Sequence, residues 1–308
     1  MDRFHELRVF VAVAEAASFA KAAIALRSSP PAVTRAVAAL EDRLGVRLFN
    51  RTTRSVGLTE PGSRFLEHAR RVLADLDAAE QDLRGEARVA SGQLAITASV
   101  TFGRTMLSST VASFSRTYPQ VSVSMLLHDR IVDLVEEGLD IAVRIAHLPD
   151  SSLVATHLGE VRRILVASPA YLEEHGTPRK PLDLKAHAII GHTTLLPGGE
   201  WRHIDQGKPA RVALRPRIET NDAHVNIELA AAGHGITLVL SYMAADKIKS
   251  KKLVPILEKF TPSALPVHLI YAQRRIIAPK VRAFIDFAVP KLRATLAATP
   301  HSVRSRRT

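Results

Sequence analysis

Apolar positions recur at helical spacing three times in the first 45 residues, and beyond residue 92 they begin to alternate. Phe4, Leu7, Phe10, Val11 and Ala14 form the stripe of a first helix. Ser18 reads as the N-cap of a second, with Phe19, Ala22, Ala23 and Leu26 facing inward. Ser29-Pro30-Pro31 opens a third; both prolines fall in its first turn, where backbone N–H groups have no intrahelical partner. Val33, Val37, Leu40 and Leu44 supply its buried stripe, and Gly45 closes it. Two short strands around Asn50–Ser55 then predict a hairpin with Arg51 and Arg54 projecting from it.

From Glu60 to about Arg88 the pattern is one uninterrupted helix. Leu66, Ala69, Leu73, Leu76, Glu80 and Leu83 fall on alternating steps of three and four. About 28 residues at roughly 1.5 Å each span ~42 Å, too long for burial in a small N-terminal domain. The stripe therefore calls for a partner helix, either in a second copy or within the same chain. Glu80 is an awkward residue for a core position.

After Ser91-Gly92 the period changes. Gln93–Thr97 alternates as a strand, Arg104–Tyr118 reads as a helix, and Val121–Leu127 alternates again, a β-α-β unit. Short helices are expected at Ile131–Glu137, Pro169–His175, Asp222–Ala232 and Tyr242–Lys249, and a longer one at Pro279–Ala297. Further strands are expected at Asp140–Arg144, Leu153–Leu158, Val161–Ala167, Ala188–Ile190, Arg217–Thr220, Ile236–Val239 and Val267–Tyr271. Alternation of this kind over some 210 residues means an α/β architecture. The turn-rich stretch from Pro197-Gly198-Gly199 to Gly207-Lys208-Pro209 reads as the break between two lobes.

Charge changes the picture only locally. The formal net charge is +12, but residues 274–308 hold nine basic residues against one acidic, leaving the rest of the chain nearly balanced. The basic tail at 301–308, with Arg304, Arg306 and Arg307, is ordinarily a solvated feature. From Arg27 to Leu58, however, six arginines stand against two acids, the clustering that phosphate contact requires. The outward side of the third helix carries Ser29, Pro31, Thr34, Arg35 and Ala38, free of large apolar groups, which suits a helix in a major groove. An ordinary three-helix bundle with solvated arginines fits the same spacing.

The runs Ser18-Phe19-Ala20-Lys21-Ala22-Ala23, Ser29-Pro30-Pro31-Ala32-Val33-Thr34-Arg35, Leu48-Phe49-Asn50-Arg51 and Leu58-Thr59-Glu60-Pro61-Gly62 stand in an order that resembles the N-terminus of LysR-type transcriptional regulators. The resemblance covers about the first 90 residues strongly and the remainder more loosely. It implies an N-terminal all-α winged helix-turn-helix at 1–62 and a linker and dimerisation helix at 60–90. Behind them it implies an effector-binding α/β domain at 91–300, built of two periplasmic-binding-protein-like lobes. Lobe one would be 91–162 plus 267–300, and lobe two 163–266. By position Ser29, Pro31, Thr34 and Arg35 would face the groove, with Arg51 and Arg54 as wing contacts. Pro30 stands where the family often has a polar residue. The resemblance also implies a homodimer or homotetramer on a pseudo-palindromic promoter site, with half-sites about one turn apart.

In two-lobed α/β domains ligands bind at the carboxyl ends of strands. Those ends point to Ser99, Thr101, His128, Arg144 and His147 from the first lobe, and to Thr193, Thr220 and Asn221 from the second. Hydroxyls beside an arginine and histidines suit a small carboxylate effector, although each residue equally suits a cap, an ion pair or ordinary surface. No nucleophile elbow, P-loop or metal-ligating histidine pair occurs, so neither an enzyme nor a cofactor is expected. The chain has no cysteine, opens without a signal-peptide pattern and contains no credible membrane span, which together fit a cytoplasmic protein. A sequence-nonspecific nucleoid-type DNA-binding protein, or a solute-binding or enzymatic α/β protein with an N-terminal assembly module, are the competing readings.

Overall fold

The computed structural model describes residues 2–51, 56–83, 90–130, 132–134, 136–148, 153–272 and 277–299. The chain divides into two compact units, the first containing residues 1–92 and the second most of the remainder.

In the first unit three helices open the chain: α1 (Arg3–Ala16), α2 (Phe19–Ala25) and α3 (Pro30–Leu44). Each begins at a side-chain cap. Asp2 Oδ1 accepts from Phe4 N at 3.0 Å, Ser18 Oγ from Lys21 N at 3.3 Å, and Ser29 Oγ from Ala32 N at 3.4 Å. Gly45, at φ 69°, ends α3 in the left-handed conformation that costs a glycine nothing. Phe10 sits at the centre of the core, its ring 5.3 Å from those of both Phe49 and Phe65. Burying an aromatic or leucine side chain of this kind contributes about 1.5–3 kcal/mol.

The strands β1 (Phe49–Arg51) and β2 (Val56–Leu58) pair antiparallel, with Asn50 opposite Gly57. Their approach to α3 is set by buried Glu41, whose Oε1 accepts from Leu48 N at 2.7 Å and Phe49 N at 3.1 Å. Thr59 then starts α4 (Glu60–Leu83): its hydroxyl donates to Arg47 O at 2.7 Å and accepts from Gly62 N at 3.0 Å. Gly62 is required there, because a Cβ would stand 2.0 Å from Leu48 O.

The α4 stripe differs from expectation at its start. Phe65, Leu66 and Ala69 pack into the core of the first three helices, so this part finds its partner in its own chain. Farther along, Leu73 and Leu76 are half-buried and Val72 is 44% exposed. The side chains of Glu80 and Leu83, and all of residues 84–88, lie outside the described residues.

The second unit holds two five-stranded sheets. The first has the order β4-β3-β5-β14-β6, built from β3 (Gly92–Ala98), β4 (Val121–Leu127), β5 (Ile141–Ile145), β6 (Leu153–Val161) and β14 (Leu265–Ala272). Between β3 and β4 run α5 (Val100–Phe102), a π-helical turn (Gly103–Leu107) and α6 (Ser108–Thr117), the helix expected there with one bulged turn. The second sheet has the order β11-β8-β12-β7-β13. Its strands are β7 (Arg163–Ala167), β8 (Ile189–His192), β11 (Pro216–Thr220), β12 (Ile236–Leu240) and β13 (Val254–Ile256). The helices α7 (Pro169–His175), α8 (Ala223–Ala231) and α9 (Ala245–Lys249) belong to this lobe, and α10 (Pro279–Ala298) follows β14. The parallel pairs β3–β5, β8–β11 and β8–β12 bring their carboxyl ends to common edges.

Three local expectations fail. The described residues of 132–139 form turns, not a helix, since only Leu134 among them is buried and no stripe develops. Tyr242 precedes α9 and does not begin it. The stretch taken as an inter-lobe break is a hairpin of β9 (Glu200–Asp205) and β10 (Lys208–Ala213), packed on the second lobe. Gln206 (φ 48°) and Gly207 (φ 77°) make its two-residue turn, and Trp201 and His203 point inward while Arg202 points out. The chain instead passes between the sheets at Arg162, where β6 gives way to β7, and again between β13 and β14. Arg162 is pinned there: its N–H donates to Ser241 Oγ at 3.1 Å and its carbonyl accepts from Ser241 N at 2.8 Å.

Candidate nucleic-acid interface and ligand cleft

The outward side of α3 begins at its cap. Ser29, Pro31 and Arg35 are exposed, and Thr34 is half-buried with its hydroxyl donating to Pro30 O at 2.9 Å. That back-bond uses the Thr34 proton and leaves the hydroxyl oxygen able to accept. Arg35 has no ion-pair or hydrogen-bond partner among the described residues, so its five N–H donors are available to an acceptor. Arg43 and Arg47 are engaged otherwise, Arg43 with Glu6 at 2.8 Å and Arg47 with Glu41 at 3.5 Å. The backbone of Arg51 closes β1; its side chain and the whole of Arg54 lie outside the described residues.

In the second unit, the edge where β3, β4, β8 and β12 end gathers polar groups from both lobes. Ser99 follows β3 as the N-cap of α5, yet its side chain caps nothing. His128 follows β4, tied by its backbone N–H to Ala98 O at 3.1 Å. Asp129, beside it, accepts from Val100 N at 3.2 Å and so takes the capping role that Ser99 leaves open. From the other lobe comes Tyr242, two residues past β12 and 3% exposed, its ring 5.6 Å from that of Phe102 and edge-on to it. Ser99 Oγ, both ring nitrogens of His128 and the Tyr242 hydroxyl are buried without a hydrogen-bond partner. Leaving such groups unpaired costs about 1–3 kcal/mol each.

The electrostatics follow from this burial. Desolvation pushes the Tyr242 phenol well up, Ser99 opposes the shift, and the Asp129 charge adds to it. The Ser99 and Tyr242 oxygens therefore face one another without reaching hydrogen-bond geometry. His192, at the end of β8, is held below the ordinary imidazole range by burial, with Asp129 and Asp222 pulling the other way. Its Nδ1 accepts from Thr194 N at 3.2 Å, so the neutral ring carries its proton on Nε2. The edge thus presents the hydroxyls of Ser99 and Tyr242, the imidazoles of His128 and His192, and one carboxylate, Asp129.

The other expected residues are not among these unpartnered groups, apart from one Arg144 nitrogen. Thr101 is half-buried on α5, with no hydrogen bond from its hydroxyl among the described residues. Arg144 is half-buried near the end of β5 and donates to Val143 O at 3.3 Å. Thr193 and Asn221 are exposed, and Thr193 N donates to Thr220 O at 3.0 Å. Thr220 is structural: its hydroxyl lies 2.8 Å from Asn226 Oδ1, and fully buried Asn226 donates to Gly191 O at 3.0 Å. Tyr242, Asp129 and His192 were not expected. The strand-end rule would have found His192 and Tyr242 once β8 and β12 were given their full lengths; Asp129 follows β4, whose bounds were as expected, one residue beyond His128.

Among the described residues, no group of three histidines or acids could hold a metal ion, and no helix is long and apolar enough to cross a membrane.

Comparison with known proteins agrees with both halves of this picture. Residues 4–63 match the model of the bacterial regulatory helix-turn-helix proteins of the lysR family, and residues 87–293 match the LysR substrate binding domain. The HTH-type transcriptional regulator CrgA of Neisseria meningitidis serogroup B is 33% identical over 289 residues, covering 93% of this chain and 96% of that one. PtxR of Pseudomonas aeruginosa, likewise an HTH-type transcriptional regulator, is 36% identical over 282 residues, 92% of this chain and 90% of its own length. Among solved structures, CrgA from Neisseria meningitidis superposes with a TM-score of 0.61 over 94% of this chain and 98% of that one. The full-length Vibrio cholerae virulence activator AphB gives 0.60 at 29% identity, over 94% and 99%.

Proposed function

The chain belongs to the LysR-type transcriptional regulators, with a helix-turn-helix DNA-binding domain and an effector-binding domain, and from that premise we propose how its residues divide the work. The N-terminal side of α3 reads base edges in the major groove through Ser29, Pro31, Thr34 and Arg35, while Arg51 and Arg54 grip phosphates from the hairpin. A small effector binds where β3, β4, β8 and β12 end, taking donors from Ser99, His128 and Tyr242 and lying beside Thr101 and Arg144, with Thr193 and Asn221 at the rim.

One observation carries the effector assignment: buried polar atoms from two lobes converge at one strand-end edge with no protein partner. An oxygen-rich ligand supplies the missing acceptors and offsets their desolvation. Asp129 beside the donors favours a ligand with a hydroxyl or amine as well as a carboxylate, which narrows the earlier expectation. Effector-driven closure about Arg162 then reorients paired subunits and changes the spacing of the DNA-reading heads. The working form is a cytoplasmic homodimer or homotetramer on a pseudo-palindromic promoter site, and its role is regulatory, not enzymatic.

The test is a binding titration on DNA flanking the chain's own gene against random DNA at fixed salt. Arg35→Ala lowers cognate affinity about 10–100-fold and random affinity little, whereas Arg51→Ala weakens both and reduces the salt slope by about 0.9. Thr101→Ala and Ser99→Ala keep DNA binding and lose the response to metabolites. A wild-type protein with no preference for any DNA sequence at moderate salt overturns the proposal.

A further inference from the structure

Beside the β9–β10 hairpin, and apart from the residues just assigned, the second lobe carries a pocket of about 610 Å³ that opens to solvent. That volume is in the range of small-molecule sites. Its floor is the sheet, through Arg163 of β7 and Leu238 of β12, and its wall is the hairpin face that carries Trp201. The turn after β8 borders both regions, but His192 responds to Asp129 and Asp222 whereas Thr194 lines the cavity.

The charges of this cavity do not balance. Arg202 and Arg211 stand opposite one another in the hairpin register, which by itself is unfavourable. Glu200 compensates, accepting from Arg202 Nε at 3.2 Å and Arg211 Nη1 at 3.4 Å. Each of its two oxygens thus already faces one guanidinium, and neither reaches Arg163. Arg163 lines the same cavity, half-buried, and its guanidinium has no hydrogen bond or acidic partner among the described residues. Burial, and secondly Arg202, depresses its guanidinium below the ordinary range. Arg202 and Arg211 extend into solvent, 82% and 77% exposed, so water screens them and the uncompensated charge of the lining is that of half-buried Arg163.

Most of the remaining lining is apolar. The Trp201 and His203 rings stack at 4.8 Å and 22°, and Leu195, Ile204 and prolines complete the wall. An unpaired, partly desolvated guanidinium calls for an anion, and a planar apolar wall calls for a planar apolar body. We propose that this cavity is a second ligand site, for an aromatic carboxylate or sulfonate whose acid group meets Arg163 and whose ring lies against the Trp201 wall.

Trp201 is the only tryptophan of the chain, so its fluorescence reports directly on the cavity. The full-length protein is titrated with 8-anilinonaphthalene-1-sulfonate, reading Trp201 quenching and energy transfer to the probe, with benzoate and neutral benzamide as competitors. Saturable quenching is expected, displaced by benzoate and not by benzamide. Arg163→Gln weakens the probe about tenfold or more, and Arg163→Lys recovers most of the loss. Thermal melts guard against misfolding: removal of an unpaired arginine leaves the Tm unchanged or raised, and a lowered Tm with Arg163→Gln marks a structural arginine and overturns the proposal. Equal affinity in wild type and Arg163→Gln overturns it, as does equal displacement by benzamide. Loss of quenching in Tyr242→Phe assigns the probe to the strand-end cleft and overturns it as well.

Discussion

The outward face of α3 and the strand-end cleft both carry polar groups, but under opposite conditions. On α3 they are exposed, or half-buried in the case of Thr34, drawn from seven consecutive residues, and held on a helix that opens at a side-chain cap. In the cleft they are buried, drawn from residues as far apart as Ser99 and Tyr242, and left without protein partners. An exposed donor loses nothing while it waits, because water satisfies it. A buried one costs free energy until something arrives. On the proposed assignment a reading surface is a finished element, whereas a sensing site stores a penalty that a ligand would relieve. In the lobe-two pocket the unpartnered group is instead a single charge, the half-buried Arg163 guanidinium.

The sharpest way to break this comparison is to disturb the packing that holds the reading surface. Gly62→Ala drives a methyl into Leu48 O and should cost about 3 kcal/mol, lowering the Tm and abolishing DNA binding. Gly57→Ala, whose new Cβ meets nothing within 4 Å, should stay within about 0.5 kcal/mol and serves as control. Thermal unfolding of both variants decides it: a silent Gly62→Ala would mean that the hairpin and α4 do not brace one another.

A smaller effect of opposite sign is expected in the cleft. Tyr242→Phe removes a buried hydroxyl that has no partner while keeping the ring against Phe102. The ligand-free protein should gain about 1 kcal/mol, seen as a Tm higher by roughly 2–4 °C, and lose effector response. A destabilised variant would show that the hydroxyl is satisfied in solution and that the contrast with α3 is false.

The smallest effect is a pH dependence. Burial lowers the pKa of His192, and also those of His187 and His268, so the unfolded chain binds more protons than the folded one in mild acid. Stability from these groups is present above their ordinary value of about 6.5 and declines as pH falls below it. Melts at about pH 7.5 and about pH 5.5 should show the loss, and His192→Gln should flatten it. An unchanged slope in that variant would remove His192 from the buried set.

The helices of the head were legible because each is fixed by neighbours within a few residues. Caps at Ser18 and Ser29, prolines in a first turn and Gly45 at an end act through local backbone geometry. The same holds for most strands of the second unit, though not for β13 or the hairpin, whose Gly-Pro-rich flanks read as a break. Pairing, rather than propensity, made those segments strands.

The sequence by itself determined the reading helix, its exposed polar side and the family to which the whole pattern belongs, because capping and helical periodicity are short-range. Only the tertiary structure brought Tyr242 to Ser99 and His128, spent Glu200 on two arginines and left Arg163 without a counter-charge. Burial and partnership are properties of a folded arrangement, and no local pattern encodes which polar atom will be enclosed alone.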